Sequence, residues 1–268
     1  MEKISKSILT NIFNEEEKQV TQQRIVVVGG NENGGGSAFI TAKSALYSSG
    51  NPVTTATDKL NLGALYANLP ETDYINYFDK VLLADAISNA SVIVAGPGLG
   101  SDLRSSDILD VVLANASLNQ TLILSDAALK IIKESEHPLP KTNLILVMDE
   151  AEWANFSNVP IEQQTSDSME IFQQKNNAII VIKKTNTELY LKDGSVLTSP
   201  LKTSQTSTNS LTGIITGLAT LSSNTSETVA AAIYLHGYIE DQISRSQFPV
   251  LPSRIVDNIP LFLKEFTL

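Results

Sequence analysis

The chain has 268 residues, of which 42% are hydrophobic and 18% charged, so it has ample material for a packed core and is not a disordered chain. It contains no cysteine and only two histidines, which excludes disulfides and thiolate metal sites and makes a zinc site unexpected. The formal net charge is −10 without any basic cluster, which argues against binding to nucleic acid or to an anionic membrane surface.

The first 20 residues predict an N-terminal helical extension rather than a targeting signal. Apolar residues recur at helical spacing from Ile4 to Phe13, and acidic residues follow them directly. A secretory signal needs an unbroken apolar stretch, and no window approaches the roughly 18 apolar residues of a membrane span. We therefore expect a cytoplasmic protein. The apolar face of this helix leaves two alternatives open, packing on its own core or on a second copy in a homo-oligomer.

Short apolar strands then alternate with helices. The run 24–28 (RIVVV) predicts a buried strand that ends in a Gly-rich turn, and a helical pattern follows from Ser37. The further predicted elements are strands 53–56, 91–95, 121–124, 143–148 and 179–182, helices 106–114, 127–133, 150–156, 210–221 and 228–243, and a hairpin over 188–198. This alternation predicts one α/β domain over residues 1–268, with a mostly parallel sheet, helices on both faces and an antiparallel edge.

Segments with small or polar residues follow the predicted strands. They are 29–36, 96–100, 125–127, 149–152, 183–187 and 206–209. In open α/β sheets, ligands bind beyond the carboxyl ends of the strands. We therefore expect a ligand site where these segments meet.

The order and spacing of these segments resemble the ADP- or ATP-dependent NAD(P)H-hydrate dehydratases, a branch of the ribokinase-like superfamily related to the carbohydrate kinases. The resemblance runs from Arg24 to Phe266. Its anchors are the Gly-rich turn and Ala-rich helix of 29–46, LPE at 69–71, AGPGLG at 95–100, IKKTNT at 182–187, LTGIITGL at 211–218 and AIYLHG at 232–237. It implies a ribokinase-like three-layer α/β/α sandwich, ADP or ATP with Mg²⁺, and NAD(P)H hydrate as substrate. In that family a nucleotide phosphoryl group makes the hydrate's hydroxyl a leaving group, and elimination restores the reduced cofactor.

The resemblance also implies two sets of binding residues. The dinucleotide substrate would contact Ser37, Ala38, Gly96, Gly98 and Asp149. The nucleotide phosphates would contact Lys183, Lys184, Thr187 and Thr208. Structural alternatives stay open, because the glycines also suit ordinary turns and the lysines also suit a solvated pair.

One departure from the family concerns the catalytic position. The family's GTGD motif reads Thr206-Ser207-Thr208-Asn209 here. Asn209 has the shape of aspartate but does not accept a proton, and losing a positioned base typically costs on the order of 10²–10⁴ in rate. Thr208 or Asn209 would instead cap the following helix, whose terminal amides still bind an anion. The sequence therefore predicts binding with impaired catalysis.

Two further departures involve acidic residues. Asp126 is shifted by one residue relative to the family's Asp-Ala-Asp pattern, which favours a role at the start of the helix that follows. Asp149 replaces the family's His, and the sequence favours a pair of solvated acids, Asp149 and Glu152, opening a helix. We expect His236 to be a packed core residue and His137 to lie in a structural loop.

Three functional hypotheses follow. The leading one is an NAD(P)H-hydrate dehydratase that keeps a nucleotide or dinucleotide pocket. The second is a nucleotide-binding pseudoenzyme or assembly partner, which the three departures favour. The third is a small-molecule kinase, which would lack the same base at Asn209. The residues leave open the choice of ADP or ATP and the oligomeric state.

Overall fold

The computed structural model of the protein describes residues 1–16, 23–135, 138–165, 168, 172, 176–204 and 208–267. These residues include a ten-stranded sheet with helices on both faces. The strands in chain order are β1 Glu2–Lys3, β2 Ile25–Val28, β3 Val53–Thr57, β4 Asp73–Asn76, β5 Val92–Ala95, β6 Thr121–Ser125, β7 Asn143–Asp149, β8 Ile179–Lys183, β9 Glu188–Tyr190 and β10 Val196–Thr198.

The strand order across the sheet is β1-β10-β9-β8-β7-β6-β5-β2-β3-β4. All neighbours from β8 to β4 are parallel, whereas β9 is antiparallel to both β8 and β10, and β1 lies parallel to β10. The chain runs outward from β2 to β4 and then returns to β5 on the other side of β2. The boundary between β2 and β5 is therefore the topological switch point, where open α/β sheets bind their ligands.

The helices cover both faces of the sheet. They are α1 Ser7–Glu16, α2 Gly35–Ser49, α3 Leu62–Asn68, α4 Lys80–Ser88, α5 Leu103–Asn115, α6 Ala127–Glu134, α7 Glu150–Ser157, α8 Asn209–Leu218, α9 Thr225–Ser244 and α10 Pro252–Leu263. Successive strand residues point to opposite faces, so Ile25 and Val27 join one core while Val26 and Val28 join the other. The first core includes α1, α2, α8, α9 and α10, and the second includes α4 to α7.

Helices α2 and α8 approach closely because small residues line their contact. A Cβ added at Gly213 would lie 2.4 Å from both the Ser44 Cβ and the Thr41 carbonyl oxygen. The Thr41 hydroxyl also donates a hydrogen bond to the Asn209 carbonyl oxygen, at 3.3 Å. This contact fixes the start of α8 beside the second turn of α2.

The predicted mostly parallel α/β architecture with antiparallel strands towards one edge is confirmed, but several elements were missed. These are β1, β4, α3, α4 and α10. Strand β4 (DYIN) has no apolar alternation, α4 exposes Val81 and Leu82, and α10 contains Pro260, so their patterns are obscured. The helix predicted from Ser106 begins at Leu103, because Asp102 caps it by accepting from the Ser105 amide at 2.8 Å.

Helix α1 packs on the chain's own core. Leu9 and Ile12 of this helix, and Ile4 just before it, are buried in the hydrophobic cluster that also contains residues of α9. Of the two alternatives for the N-terminal helix, this placement favours the first. Residues 17–20 of the predicted extension lie outside the described residues. Within the described residues, every helix is too short or too polar to span a bilayer.

Candidate functional site

A cavity of about 430 Å³ opens beyond the carboxyl ends of β2, β5, β6 and β7, and is called the strand-end cavity below. Its wall combines loop glycines, carboxyl groups, side-chain amides and lysines. Among the lining residues are Asn31, Asn33, Gly34, Gly98, Asp126, Lys130, Lys133, Glu152 and Asn155. Of the residues predicted to bind the dinucleotide, Gly98 lines this cavity.

The loops after β2 and β5 meet backbone to backbone at the switch point. The Gly30 amide donates to the Pro97 carbonyl oxygen at 2.9 Å, and the Asn31 amide donates to the Gly98 carbonyl oxygen at 2.7 Å. A Cβ added at Gly98 would lie 2.1 Å from the Gly34 carbonyl oxygen, and Gly98 also has a φ of +63°. This contact requires glycine, because any side chain would separate the two loops.

Gly96 is required for a different contact. Its φ is +124°, and an added Cβ would lie 1.8 Å from the carbonyl oxygen of Ser125, at the end of β6. The packing of the β5 loop on β6 explains this glycine. Its predicted contact with substrate remains a prediction.

Asp126 points into the strand-end cavity. It occupies the N-cap position of α6, as predicted for a helix-terminal acid, but its Oδ2 accepts from the Gly98 amide at 2.8 Å instead of capping the helix. Its φ is +49°, a conformation that is uncommon for a residue with a side chain. Burial raises the pKa of Asp126, an effect that the Gly98 and Ala127 amides partly offset. The carboxyl group therefore holds the Gly98 turn in place.

Asp149 and Glu152 form a capping box at the start of α7. Asp149 Oδ1 accepts from the Glu152 amide and Glu152 Oε2 accepts from the Asp149 amide, both at 2.8 Å. Both residues are half-buried, so the expectation of two solvated acids was wrong. Burial, together with the charges of Asp149 and Asp126, raises the pKa of Glu152 to about 7. Glu152 lines the strand-end cavity with a carboxyl group that titrates near neutral pH.

Lys183 ends β8 and lies opposite Asp149 of β7. It is only 4% exposed, and its Nζ donates to the Ser204 carbonyl oxygen at 2.8 Å. Burial lowers the pKa of Lys183, while the carboxylates of Glu240 and Asp149 partly offset this. Lys183 thus holds the segment that leads towards α8.

The other two residues of the predicted phosphate set after β8 also have contacts within the protein. Lys184 Nζ pairs with Glu188 Oε2 at 2.8 Å. Thr187 is buried, and its carbonyl oxygen accepts from the Ser199 amide at 2.8 Å. If Lys184 binds phosphate, Glu188 competes with the phosphate for its ammonium group.

Thr208 and Asn209 lie at the start of α8, close to α2. Thr208 occupies the N-cap position, but among the described residues its side chain makes no capping hydrogen bond. Ser37 links this region to the strand-end cavity: its carbonyl oxygen accepts from the Thr41 hydroxyl at 3.0 Å, and its Cβ lies 3.0 Å from a Cβ added at Gly98. Ala38 is fully buried against Gly30.

His236 is buried as expected, and burial lowers its pKa to about 3. His137 and residues 205–207 lie outside the described part of the chain.

Sequence reasoning missed two features of this region. It did not predict that Glu152 would titrate near neutral pH, because that depends on burial beside Asp126 and Asp149. It also overlooked Glu240, a buried acid on α9 whose only sequence signal is its position four residues after His236.

The fold and the site can be compared with those of known proteins. A ribokinase-like superfamily protein from Enterococcus faecalis superposes with a TM-score of 0.91 at 29% identity, covering 99% of this chain and 96% of the other. The Bacillus subtilis ADP/ATP-dependent NAD(P)H-hydrate dehydratase, co-crystallized with ATP/Mg²⁺, superposes with a TM-score of 0.80 at 20% identity, covering 96% and 91%, which supports the fold alone. The protein thus has the ribokinase-like α/β fold, as predicted.

Sequence comparison narrows the class to one family. The sequence profile of the NAD(P)H-hydrate dehydratase family matches residues 25–261. The ADP-dependent (S)-NAD(P)H-hydrate dehydratase of Lactiplantibacillus plantarum is 34% identical over 232 residues, which are 85% of this chain and 83% of that protein. The chain belongs to the NAD(P)H-hydrate dehydratase family.

Proposed function

We propose that the protein is an ADP-dependent NAD(P)H-hydrate dehydratase, which repairs hydrated NADH or NADPH in the cytoplasm. The observation that carries this proposal is the family match over residues 25–261, a range that includes all the loops around the strand-end cavity. Relatives that are 34% identical and named for ADP-dependent activity support it over a pseudoenzyme or a small-molecule kinase.

The strand-end cavity is the proposed site for the dinucleotide. The side-chain amides of Asn31, Asn33 and Asn155 provide neutral donors and acceptors, and Lys130 and Lys133 provide positive charge at its wall. This combination suits ribose hydroxyls and phosphates. Local donors of this kind are needed, because the net charge of −10 repels an anionic ligand at long range.

The start of α8 is the proposed site for the nucleotide phosphates, because helix N-terminal amides bind anions. Thr208 and Asn209 lie there. A divalent ion would be bound mainly through the phosphate oxygens of the nucleotide and through water, as Mg²⁺ prefers. When bound, the nucleotide supplies the phosphoryl group that turns the hydroxyl into a leaving group.

Glu152 is the proposed proton carrier in place of the carboxylate that Asn209 lacks. A pKa of about 7 lets a carboxyl group both accept and release a proton near neutral pH. Because Oε2 accepts from the Asp149 amide, the proton would reside on Oε1. The Asp126 carboxyl group would hold the Gly98 turn against the substrate through its bond to the Gly98 amide.

The test is to incubate the protein with hydrated NADH or NADPH, ADP and Mg²⁺, and to follow the return of absorbance by the reduced nicotinamide. We expect absorbance to return only when nucleotide is present. Glu152→Gln should slow the reaction, whereas Glu150→Gln, which removes the neighbouring acid on the same turn, should leave the rate near that of the wild type. No return of absorbance, together with an unchanged melting temperature in millimolar nucleotide, contradicts the proposal. A melting shift without turnover would identify a nucleotide-binding pseudoenzyme instead.

A further inference from the structure

Ser204 lies between two buried charges. The Lys183 ammonium donates to the Ser204 carbonyl oxygen at 2.8 Å, and the Ser204 amide donates to Glu240 Oε1 at 2.5 Å. Lys183 and Glu240 are each 4% exposed. A single residue thus links a cation and an anion that have both lost most of their contact with solvent, and each charge compensates the other.

His236 lies one helical turn before Glu240 on α9 and contacts the start of α8. Its Nε2 is 3.0 Å from the Ser210 hydroxyl, and its Nδ1 is 3.9 Å from Glu240 Oε2. The imidazole is neutral because burial lowers its pKa to about 3. A hydrogen on Nδ1 would face the Glu240 carboxylate, so Nε2 would accept from the Ser210 hydroxyl.

The arrangement of Ser210, His236 and Glu240 has the residue types of a hydrolytic triad, but it lacks the geometry for nucleophilic attack. Ser210 is 0% exposed and His236 is 1% exposed, so no carbonyl group could reach the hydroxyl. The distance of 3.9 Å between His236 Nδ1 and Glu240 Oε2 is also too long for a hydrogen bond. The cluster therefore acts on the protein's own backbone and helix ends.

Two residues of α9 thus contact the described residues on either side of positions 205–207. Glu240 holds Ser204, His236 holds Ser210, and Thr208 and Asn209 start α8 between them. Glu240 Oε2 has no hydrogen-bond partner among the described residues. The other oxygen, Oε1, accepts from the Ser204 amide, and the charge of Glu240 also acts on Lys183.

We propose that Glu240 is a positioning residue for nucleotide binding: with His236 and Lys183, it fixes Ser204 and the first turn of α8 relative to each other. This inference rests on the proposed function, which places the nucleotide phosphates at that turn. Loss of the Glu240 carboxylate removes the acceptor of the Ser204 amide and one of the two carboxylates, with Asp149, whose charges act on Lys183. The amides at the start of α8 are then less well placed to meet an anion.

The first measurement is hydrogen exchange of the nucleotide-free protein. Glu240→Met removes both the charge and the acceptor, whereas Glu240→Gln keeps an acceptor for the Ser204 amide. Asp241→Asn is the matched control, since Asp241 is the next residue and forms an exposed ion pair with Arg245 at 2.6 Å. We expect exchange at Ser204 and in the first turn of α8 to rise about tenfold or more in Glu240→Met, which corresponds to one lost charge-assisted hydrogen bond. The rise should be smaller in Glu240→Gln and absent in Asp241→Asn.

The second measurement separates a positioning role from a merely structural one. Well below the melting temperature, we expect the ADP concentration for half-maximal rate to rise about tenfold in Glu240→Met and about threefold in Glu240→Gln. The KM for the hydrate should stay within about twofold, because the strand-end cavity is built from other loops. If Glu240→Met does not fold, Glu240→Gln alone provides both readouts.

The outcomes separate this inference from the proposed function. Wild-type exchange rates in both Glu240 variants would overturn the inference, and so would faster exchange with unchanged ADP dependence. A wild-type protein that neither binds ADP nor repairs the hydrate contradicts the proposed function. In that case, an exchange effect confined to the Glu240 variants would still establish the structural link, while the role in nucleotide binding would be withdrawn.

Discussion

Glu152 accepts a hydrogen bond from the Asp149 amide, yet its surroundings disfavour its charge. Its pKa of about 7 lies above the ordinary value of 4.5, so the folded protein binds this proton more tightly than the unfolded chain. The resulting stabilisation is fully present below pH 4.5 and is lost as pH rises through 7. Between pH 5 and pH 8, we expect the melting temperature of the wild type to fall by a few degrees relative to that of Glu152→Gln. The corresponding loss of unfolding free energy is on the order of 1–3 kcal/mol.

Calorimetry or fluorescence melting at several pH values measures this difference. Glu150→Gln is the control for removing one negative charge from the same turn. A difference that does not change with pH would contradict the expected titration of Glu152.

The contribution of His236 to the stability of the fold has the opposite pH dependence. Its pKa is lowered from 6.5 to about 3, so its stabilising contribution is present above pH 6.5 and is lost as pH falls towards 3. His236→Gln should destabilise the protein at pH 7, because the Ser210 hydroxyl loses its partner. The deficit should shrink by about 2 kcal/mol between pH 6.5 and pH 5, since glutamine does not titrate. Urea unfolding at both pH values tests this. A deficit that does not change with pH would show that His236 has the same pKa in the folded and unfolded states.

Asn209 provides the most direct test of catalysis at a single residue. Asn209→Asp restores the carboxylate that the family motif carries at this position, so we expect a gain in repair rate of up to about 10²-fold if the start of α8 otherwise suits the nucleotide. Asn115→Asp, at the end of α5, controls for an added negative charge. No gain in Asn209→Asp would contradict a rate limited by the missing carboxylate at this position, and would indicate that Glu152 already serves fully as the base.

The positions of the carboxyl groups in the candidate site could be predicted from the sequence, whereas their orientation and titration could not. The positions of Asp126 and Asp149 at helix starts follow from the strand–helix boundaries, and both predictions of position were right. The direction of the Asp126 side chain depends on its φ of +49° and on the Gly98 amide, which belongs to another loop. Contacts between distant loops leave no local pattern, so the titration of Glu152 could not be predicted.

Among the elements, the contact between α2 and α8 sets the position of the proposed nucleotide site. Gly213→Ala would bring a Cβ within 2.4 Å of Ser44 and Thr41, which we expect to cost about 1–3 kcal/mol in unfolding free energy. Gly63→Ala is the matched control, because a Cβ at Gly63 in α3 meets nothing within 4 Å. It should stabilise the protein by about 0.5–1 kcal/mol through helix propensity. Equal effects of both changes in urea unfolding would contradict close packing at Gly213.

Helices and strands with a clear pattern of apolar residues could be predicted from the sequence, and those with a weak pattern could not. The apolar run of β2 indicates a buried strand by itself, because a strand covered on both faces needs no alternation. Strand β4 is an edge strand with half-buried residues and an exposed Asp73, so its four residues carry no such signal. Helix α10 contains Pro260, which interrupts the helical pattern although the helix continues to Leu263.

For the whole molecule, charge opposes the approach of the proposed ligands. The net charge of −10 repels ADP at long range, and salt screens this repulsion. We expect the association rate of ADP to rise when ionic strength increases from about 10 mM to about 100 mM, where the Debye length falls to about 10 Å. Stopped-flow measurements with a fluorescent analogue test this. A rate that falls with salt would instead indicate steering by a local group of lysines such as Lys130 and Lys133.

The pairing of β1 with β10 has a consequence for how the chain is made. Glu2 aligns with Leu197, so the outermost strand is synthesised long before its neighbour exists. The buried face of α1 likewise waits for α9, which begins at Thr225. During translation, Leu9 and Ile12 therefore stay exposed until α9 has been synthesised, and in the meantime this apolar surface is open to aggregation or to binding by a chaperone.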